Sequence, residues 1–470
     1  MENNDYLVKE KVSKLLVKFS IPCILSLLIS ALYNIVDQIF IGNSRVGAIG
    51  NTATSIVFPL TCIALAFGLM LGDGCASFMS LQSGKGEKDQ LHKSVGTTLT
   101  IGLIISVLFL VICFPLLDPI LSFFGAKTEL ALQYSHEYGF IILIGVPFYI
   151  LMNAMNSIIR ADGSPKVAMI SMVSGAIINV ILDAVFILPL DMGLTGAALA
   201  TIIGQIASFI ICVIYLFKPK TFKLKLSSFK INGKDILHIL QLGFSSFLTQ
   251  ISIVIVSIVS MNMLAIYGAN SEYGVNDPQA IFGIVMKVFS IVVNISVGIA
   301  AGAQPIIGYN FGAKRFDRVK QLLKLIIISN IIVGIIATIV LECFPGQIIK
   351  IFGSNSENPL KYIEFGEMTI RIYLVLISFT LIQKVTAIFL QACGHPIKAT
   401  VLSLLRDVVA LIPAMCLLPL AYGIKGVLYS SLVSDSISLI VTIVFLVLEV
   451  KNLNKWDRNS SNTIENVELA

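Results

Sequence analysis

The sequence predicts an all-α membrane protein in which twelve transmembrane helices form two six-helix bundles, related by a pseudo-twofold axis along the membrane normal. Three observations predict this class: an apolar composition, twelve apolar runs and an internal duplication. The 470 residues are 56% hydrophobic and 13% charged, with a mean hydropathy of +0.90. Because a soluble domain carries about 25% charged residues, this composition is typical of a chain that faces lipid.

The apolar runs are each of the order of the ~20 residues that cross a bilayer core. A helix satisfies its own backbone hydrogen bonds in lipid. A transmembrane β-barrel would instead show alternating segments of about ten residues, and the sequence lacks that alternation. The predicted spans cover about residues 15–41, 48–72, 94–114, 133–158, 166–187, 193–216, 240–267, 278–303, 319–341, 362–390, 398–420 and 424–449.

A duplication divides these spans into two sets of six. The segment LPLDMGLTGAALAT (188–201) recurs as LPLAYGIKGVLYSS (418–431), and IIRADGSPK (158–166) recurs as FLQACGHPIK (389–398). Because six is even, both copies enter the membrane in the same direction, and the symmetry axis lies along the membrane normal. We expect a first lobe at 1–216, a cytoplasmic linker at 217–235, a second lobe at 236–450 and a cytoplasmic tail at 451–470.

The basic residues predict the orientation. If the N-terminus is inside, the cytoplasmic segments hold about four times as many lysines and arginines as the external ones. This bias favours cytoplasmic positions for both termini. The net charge of +6 is spread over every second loop rather than gathered on one face, so we expect a lipid bilayer but no nucleic acid as a partner.

Enzyme chemistry is not expected. Most of the eight cysteines lie in apolar runs, and no spacing of cysteine and histidine is typical of a zinc site. The sequence also lacks a phosphate-binding loop of the GxxxxGK[ST] type. We therefore expect no cofactor, and transport would have to be driven by an ion gradient.

Carboxylates inside spans are the strongest functional candidates, because a charge in the bilayer core is costly and usually faces a cavity, a partner or an ion. Asp37 lies in the first span, with Tyr33 one helical turn before it. Asp183 lies in the fifth span, with Asn179 one turn before it. Asp73, near the end of the second span, is expected at the membrane interface instead.

Amide and hydroxyl groups extend this candidate site to Asn153 and Asn156 in the fourth span and Thr201 in the sixth. Oxygen ligands suit a hard cation, so we predict Asp37, Asp183 and Asn179 as sodium ligands. Two close carboxylates could alternatively share one proton. The polar groups could also be interhelical hydrogen bonds that hold the bundle together.

The second copy of the repeat differs from the first. Its first span, at about 240–267, contains no acid. We expect Lys287 and Lys384 either to pair with Asp435 or to extend towards a water-filled cavity. The neighbours Arg406 and Asp407 are expected near the cytoplasmic surface. This asymmetry predicts that ion coupling resides in the first lobe.

Several segments resemble the multidrug and toxic compound extrusion (MATE) transporters. They are the paired motifs IRADGSPK and LQACGHPIK, the cytoplasmic segment GAQPIIGYNFGAKRFDRVK (302–320) and the first-span segment FSIPCILSLLISALYNIVDQIFIG (19–42). The resemblance covers about residues 15–450, and the Met- and Phe-rich character resembles the bacterial branch of MepA-like and DinF-like exporters. It implies the MATE fold in a bacterial cell membrane and an antiporter that expels cationic or amphipathic drugs while sodium or protons flow inward.

The resemblance also implies a coupling site in the first lobe. The family's first-span aspartate and tyrosine match Asp37 and Tyr33, and its fifth-span asparagine and aspartate match Asn179 and Asp183. Its fourth-span asparagine matches Asn156 best, with Asn153 as the alternative, and its sixth-span threonine matches Thr201. Another branch of the family carries a glutamate in the seventh span and an aspartate in the tenth. This sequence has neither acid.

Two other functions stay open at this point. One is a flippase for a lipid-linked glycan, which would be expected to line its cavity with several basic residues, whereas the membrane interior offers Lys287 and Lys384 as the clear candidates. The other is a channel or a non-transporting receptor, which the duplication does not favour. The sequence leaves the transported compounds open, slightly favours sodium over protons, and requires no more than a monomer.

Overall fold

The computed structural model describes residues 6–42, 44–274, 276–351 and 358–468, and these residues are predominantly helical. Within this part of the chain, eleven helices are long and apolar enough to cross a membrane, and a bent pair of helices supplies a twelfth span. The expectation of an all-helical membrane protein with twelve spans is therefore confirmed.

The helices of the first half are α1 (Tyr6–Lys9), α2 (Val12–Gly42), α3 (Gly47–Lys85), α4 (Lys88–Cys113), α5 (Leu117–Phe124), α6 (Glu129–Ala161), α7 (Pro165–Ile187) and α8 (Gly193–Leu216). Those of the second half are α9 (Gly233–Ala269), α10 (Asn276–Gly312), α11 (Phe316–Cys343), α12 (Pro345–Ile351), α13 (Pro359–Tyr373), α14 (Ile377–Ala392), α15 (Pro396–Leu404), α16 (Ile412–Tyr422) and α17 (Ile424–Glu468). A short 3₁₀ helix at Leu226–Phe229 lies in the linker, and a π-helical segment at Leu405–Leu411 joins α15 to α16.

The tenth span is broken, whereas the sequence predicts one continuous helix there. Helices α13 and α14 meet at an angle of 48°. The break contains neither glycine nor proline, so an apolar run gives no sign of it. The chain turns through hydrogen bonds from Ile377 N to Leu374 O (3.0 Å) and from Phe379 N to Leu376 O (2.8 Å).

The eleventh span is widened by its π-helical segment. Pro413 lies two residues after the segment, in the first turn of α16. Proline has no backbone N–H and cannot donate to the preceding turn, which explains why the regular ladder fails here. The wider turn leaves the adjacent residues Arg406 and Asp407 both buried.

The two halves meet closely at the ends that the positive-inside rule predicts to be cytoplasmic. Helix α10 packs on α2 so tightly that a Cβ atom added at Gly302 would lie 2.6 Å from Ser20 Cα, and one at Gly298 would lie 2.8 Å from Ile24 Cα. Helix α3 likewise packs on α9 at Gly74 and Gly243. We call these contacts the inner seam. The helix backbones can touch there because the residues at these contacts are glycines, which have no Cβ atom.

Polar groups also cross the inner seam. Gln304 Nε2 donates to Ser77 Oγ (2.9 Å), and Ser246 Oγ donates to Asp73 Oδ2 (3.0 Å). Asp73 accepts a further hydrogen bond from Ser157 Oγ (2.8 Å) and is 18% exposed. Arg160 Nη2, one residue before the end of α6, lies 3.6 Å from Asp73 Oδ1. The expected position of Asp73 at the membrane interface stays a prediction.

The N-terminal segment of the chain packs on the second half. Leu7 is buried in an apolar cluster that includes Ile306 and Phe316. Arg318 Nη2 donates to the carbonyl oxygens of Leu7 (3.0 Å) and Glu10 (2.6 Å). This segment closes the same end of the molecule as the inner seam.

The linker packs on the first half. Asp162 accepts hydrogen bonds from the backbone N–H groups of Lys220 (2.7 Å) and Thr221 (2.9 Å) and from the Tyr215 hydroxyl (2.5 Å). Burial raises the pKa of the Asp162 carboxyl group above its ordinary value, although these donors oppose the effect. Thr97 and Thr100 bind the backbone carbonyls of residues 230 and 229. The predicted lobe boundaries stay predictions, but residues 217–230 lie against the first half.

The last helix continues into the segment that the sequence marks as a cytoplasmic tail. Helix α17 extends to Glu468. Glu449 accepts from Lys398 Nζ (2.7 Å), and Lys320 Nζ donates to Asp457 Oδ2 (2.7 Å). The Trp456 ring lies against Phe316, with ring centroids 5.7 Å apart. These contacts fix the start of the tail to the second half.

Candidate functional site

Two buried carboxylates of the first lobe face each other. Asp37 is 8% exposed and Asp183 is 0% exposed. Asp37 lies five residues before the end of α2 and Asp183 four residues before the end of α7. Both ends are external in the predicted orientation, so the pair lies in the outer half of the membrane. The two carboxyl groups are close enough to share a hydrogen bond if one of them holds a proton.

The pair is short of hydrogen-bond donors. Oδ1 of Asp37, both carboxylate oxygens of Asp183 and Oδ1 of Asn179 are buried, and no described residue donates to any of them. A buried polar atom without a partner is costly. The geometry therefore fits a site that is completed by a cation or a proton.

Asn179, Thr201 and Tyr33 surround the pair. Asn179 Nδ2 donates to Thr201 Oγ1 at 3.5 Å, which leaves the amide oxygen free to serve as a ligand. Tyr33 lies one turn before Asp37 on α2 and is a neighbour of both carboxylates. The structure thus brings together five of the seven residues predicted from the sequence.

A further residue, Tyr138, belongs to this cluster, although the sequence does not predict it there. It lies on α6, is 8% exposed, and is a neighbour of Asp37, Asp183 and Thr201. The position of Tyr138 along its span could have indicated this role from the sequence. Tyr138 lies near the external end of the fourth span, as the carboxylates do in theirs.

The two predicted asparagines of the fourth span lie elsewhere. Asn153 Nδ2 donates to Tyr149 O (2.8 Å), and Asn156 Nδ2 donates to Met152 O (3.0 Å) within their own helix. Asn156 lies eighteen residues after Tyr138 on α6, or about 27 Å at the ~1.5 Å rise of an α-helix. The structure therefore does not bring Asn153 or Asn156 to the carboxylates.

The donor set favours a monovalent cation or a proton over a transition metal. No group of three or more His, Cys, Asp or Glu side chains suited to a metal ion occurs within the described ranges. The first-lobe cluster instead combines two carboxylates with amide and hydroxyl oxygens, which are hard ligands. Asp37, Asp183 and Asn179 would hold sodium in such a site.

Comparison with known proteins identifies the family. The MatE family matches residues 22–185 and 245–416, which is most of the chain and one match in each copy of the repeat. The chain belongs to the MatE family. The family resemblance noted in the sequence is therefore confirmed, as is the expectation that the protein is not an enzyme.

Individual MatE proteins are similar over nearly the whole length. The chain is 26% identical over 451 residues to the multidrug export protein MepA of Staphylococcus aureus, covering 94% of this chain and 95% of the relative. It matches a crystal structure of MATE in complex with MaL6 with a TM-score of 0.88 and 23% identity, over 97% of this chain and 100% of that one. An outward-facing MATE structure of the MOP superfamily also gives a TM-score of 0.88, at 23% identity, over 97% of this chain and 99% of that one. The protein is a multi-pass membrane protein with the MATE fold.

The second lobe of this MatE chain has charges of a different kind. Arg406 and Asp407 are 3% and 5% exposed in the middle of the lobe, so their expected position at the cytoplasmic surface is wrong. Asp435 pairs with Arg406, and Lys384 pairs with Asp407 rather than with Asp435. Lys287 is half-buried on α10.

Proposed function

We propose that this MatE protein exports cationic or amphipathic compounds in exchange for inward-moving sodium or protons, by alternating access between its two lobes. The observation that carries the proposal is the pair of buried carboxylates, Asp37 and Asp183. Three of their four oxygens are buried without a donor among the described residues. The similarity to a relative named a multidrug export protein supports the substrate class.

The closed inner seam indicates an outward-facing state. A cation from outside would reach Asp37 and Asp183 through the outer half of the first lobe. Its binding would supply the missing partner for the carboxylates and favour rearrangement of α2 and α7, which pack on each other. A coupling free energy of about 1–3 kcal/mol is typical of such linkage, and it is reciprocal. The exported compound should therefore weaken cation binding by the same factor.

Sodium is slightly favoured over protons. Asn179 and Thr201 can ligate a metal ion through oxygen but add little to proton storage. Two facing carboxylates that share one proton remain the alternative. We further propose that both termini are cytoplasmic and that the monomer is the working unit.

Aromatic side chains at the bottom of the outward-facing space suit an apolar cation. Phe67 on α3 and Phe247 on α9 contact each other across the lobes, with ring centroids 5.1 Å apart and Phe244 next to them at 6.2 Å. They lie one turn outward from the contact of Met70 with Gly243. Aromatic faces attract organic cations, so we propose this pair as part of the drug-binding surface.

The test is ethidium efflux from vesicles in which the sodium and proton gradients are set independently. Asp183→Asn and Asp37→Asn should abolish gradient-driven export at normal protein abundance. Asp191→Asn is the matched control, because Asp191 is an exposed aspartate that pairs with Arg45. Unaltered export by both site variants would overturn the proposal. A response to sodium at fixed pH, or to pH alone, decides the coupling ion.

A glycan flippase is less well supported. It would need basic groups available for a pyrophosphate, and two of the embedded cations, Arg406 and Lys384, are paired with carboxylates. If wild-type protein exports no cation under either gradient, lipid-linked substrates become the next candidates.

A further inference from the structure

The second lobe contains a buried charge network that the proposed coupling site does not use. Arg406 Nε donates to Asp435 Oδ1 (2.6 Å), and Arg406 Nη1 donates to Asp407 Oδ1 (2.7 Å). Lys384 Nζ donates to the second Asp407 oxygen (3.4 Å), and Thr380 Oγ1 donates to Asp435 (2.8 Å). Two carboxylates thus face two basic side chains, and their charges cancel.

The network lies deep in the lobe. Asp435 is 1% exposed. The ring of Phe289 lies 5.5 Å from the Arg406 guanidinium, and Tyr373 of α13 is a further neighbour. Asp407 lies eleven residues after Pro396, the start of α15, which corresponds to about 16 Å of helix. Charges at that depth persist only when they are paired and hydrogen-bonded.

The internal duplication shows what the first lobe has in the same place. If the two copies of the repeat are aligned at Gly163 and Gly394, Gly175 of the first copy is equivalent to Arg406 of the second. A Cβ atom at Gly175 would lie 2.6 Å from Gly204 O, so the fifth and sixth spans touch there through their backbones. In the second lobe an arginine fills the corresponding space, and the π-helical segment accommodates it.

The pair Asp37 and Asp183 and the pair Asp407 and Asp435 therefore differ in whether a basic side chain binds them. No described lysine, arginine or histidine forms an ion pair with Asp37 or Asp183, and three of their four oxygens are buried without a donor. In the second lobe, one guanidinium binds both Asp407 and Asp435. The first lobe would have to bind a cation from solution, whereas in the second lobe the Arg406 side chain supplies the positive charge.

We propose that Arg406 is a tethered counter-cation that holds, between Asp407 and Asp435, the place a mobile cation would otherwise occupy. The second lobe then passes through the transport cycle without binding the coupling ion, and coupling is confined to the first lobe. This second statement rests on the proposed antiport. Removal of the guanidinium leaves a two-carboxylate site that recruits a cation from solution.

The first test measures melting temperature in lipid nanodiscs while sodium replaces N-methyl-D-glucamine and the pH is stepped separately. All variants carry Asp183→Asn, which removes the first-lobe response. Arg406→Gln should gain a rise of several degrees with sodium or with added protons. Arg406→Lys is the matched control and should gain none, because it retains the charge. A folded Arg406→Gln protein that responds no more than the Asp183→Asn background would overturn the proposal.

A second variant tests whether coupling is confined to the first lobe, and it does so even if Arg406→Gln does not accumulate. Arg406→Gln combined with Asp435→Asn removes opposite charges together and leaves Asp407 paired with Lys384. Its ethidium efflux should depend on the ion gradients as in wild type, within about twofold, even if its abundance falls. Efflux that no longer responds to the gradients would mean that the network takes part in coupling. Wild-type protein that exports nothing refutes the antiport alone, and the melting data still decide the role of Arg406.

Discussion

Replacing Gly302 by alanine should weaken the inner seam and shift the protein towards the inward-facing state. The added methyl group would lie 2.6 Å from Ser20 Cα, 2.7 Å from Ser20 N and 2.8 Å from the carbonyl carbon of Phe19. All three atoms belong to the backbone of α2, so no side chain can rotate away. Relief requires the helices to separate by about 1 Å, and overpacking of this kind costs about 1–3 kcal/mol.

That cost applies only to the state in which α2 and α10 touch. It therefore shifts the equilibrium from the outward-facing to the inward-facing state. A difference of about 1–3 kcal/mol corresponds to roughly a 5- to 150-fold shift in the equilibrium. The assay is maleimide labelling of a cysteine placed at Ser77, in a background without other cysteines, because Ser77 is 0% exposed and accepts a hydrogen bond from Gln304 across the seam. Labelling from the cytoplasmic side should accelerate by the same order.

Gly283→Ala provides the matched control, because Gly283 lies on the same helix and a Cβ atom there would meet nothing within 4 Å. Alanine in a helix interior is favoured over glycine by about 0.5–1 kcal/mol, so this variant should be at least as stable as wild type, with unchanged labelling. Equal labelling rates in Gly302→Ala and wild type would show that α2 and α10 do not separate during the cycle, and the reasoning would fail.

Three further outcomes are expected. Tyr138→Phe removes the hydroxyl that hydrogen-bonds Thr201 in the carboxylate cluster. It should weaken the cation dependence of efflux by about 2- to 12-fold, the equivalent of one hydrogen bond of about 0.5–1.5 kcal/mol; an unchanged dependence would exclude Tyr138 from the site. Asp162→Asn costs an acceptor for Lys220 or Thr221 and should lower stability by about 1–3 kcal/mol. Since burial raises the pKa of Asp162 above its ordinary 3.8, the folded state holds the proton more tightly than the unfolded state, and the melting advantage of wild type over this variant should shrink as pH rises from that value. Arg318→Ala removes charged hydrogen bonds to Leu7 and Glu10 worth about 1.5–3 kcal/mol each, and amide exchange at residues 6–10 should accelerate at least tenfold; wild-type exchange would show that the apolar contacts of Leu7 suffice.

Hydropathy and repetition were sufficient to predict the fold. Hydropathy identifies each span from its own residues, and the repeat pairs the spans of the two halves without knowledge of their contacts. Twelve apolar runs became twelve spans, and the paired motifs around Gly163 and Gly394 anticipated one family match in each half. The break between α13 and α14 was not predictable on this basis. It contains no glycine or proline, and an apolar run has the same composition whether it is straight or bent.

The candidate site was predictable where one helical turn decides the neighbours. Tyr33 with Asp37, and Asn179 with Asp183, share a helix face by spacing alone. Residue type alone predicts Asn153 and Asn156 as members of the site, but they lie several helical turns deeper than the carboxylates.

The partners of Asp435 required the three-dimensional structure. Arg406 lies 29 positions away along the chain, and the π-helical segment that orients it depends on the lost hydrogen bond before Pro413. No local spacing rule covers either effect.

The attachment of the linker to the first lobe limits where the chain can bend between the repeats. Residues 217–230 are bound by Asp162, Thr97 and Thr100, while a Cβ atom at Gly233 would meet nothing within 4 Å. The covalent joint is thus only three residues long, from Ile231 to Gly233. A joint so short would act as a pivot rather than a tether, so that any movement of the second repeat would be centred on this point. An inserted flexible segment at this pivot would free the repeats from a common centre of rotation, whereas the same insertion at Phe222, which is 1% exposed, would disrupt the first lobe itself.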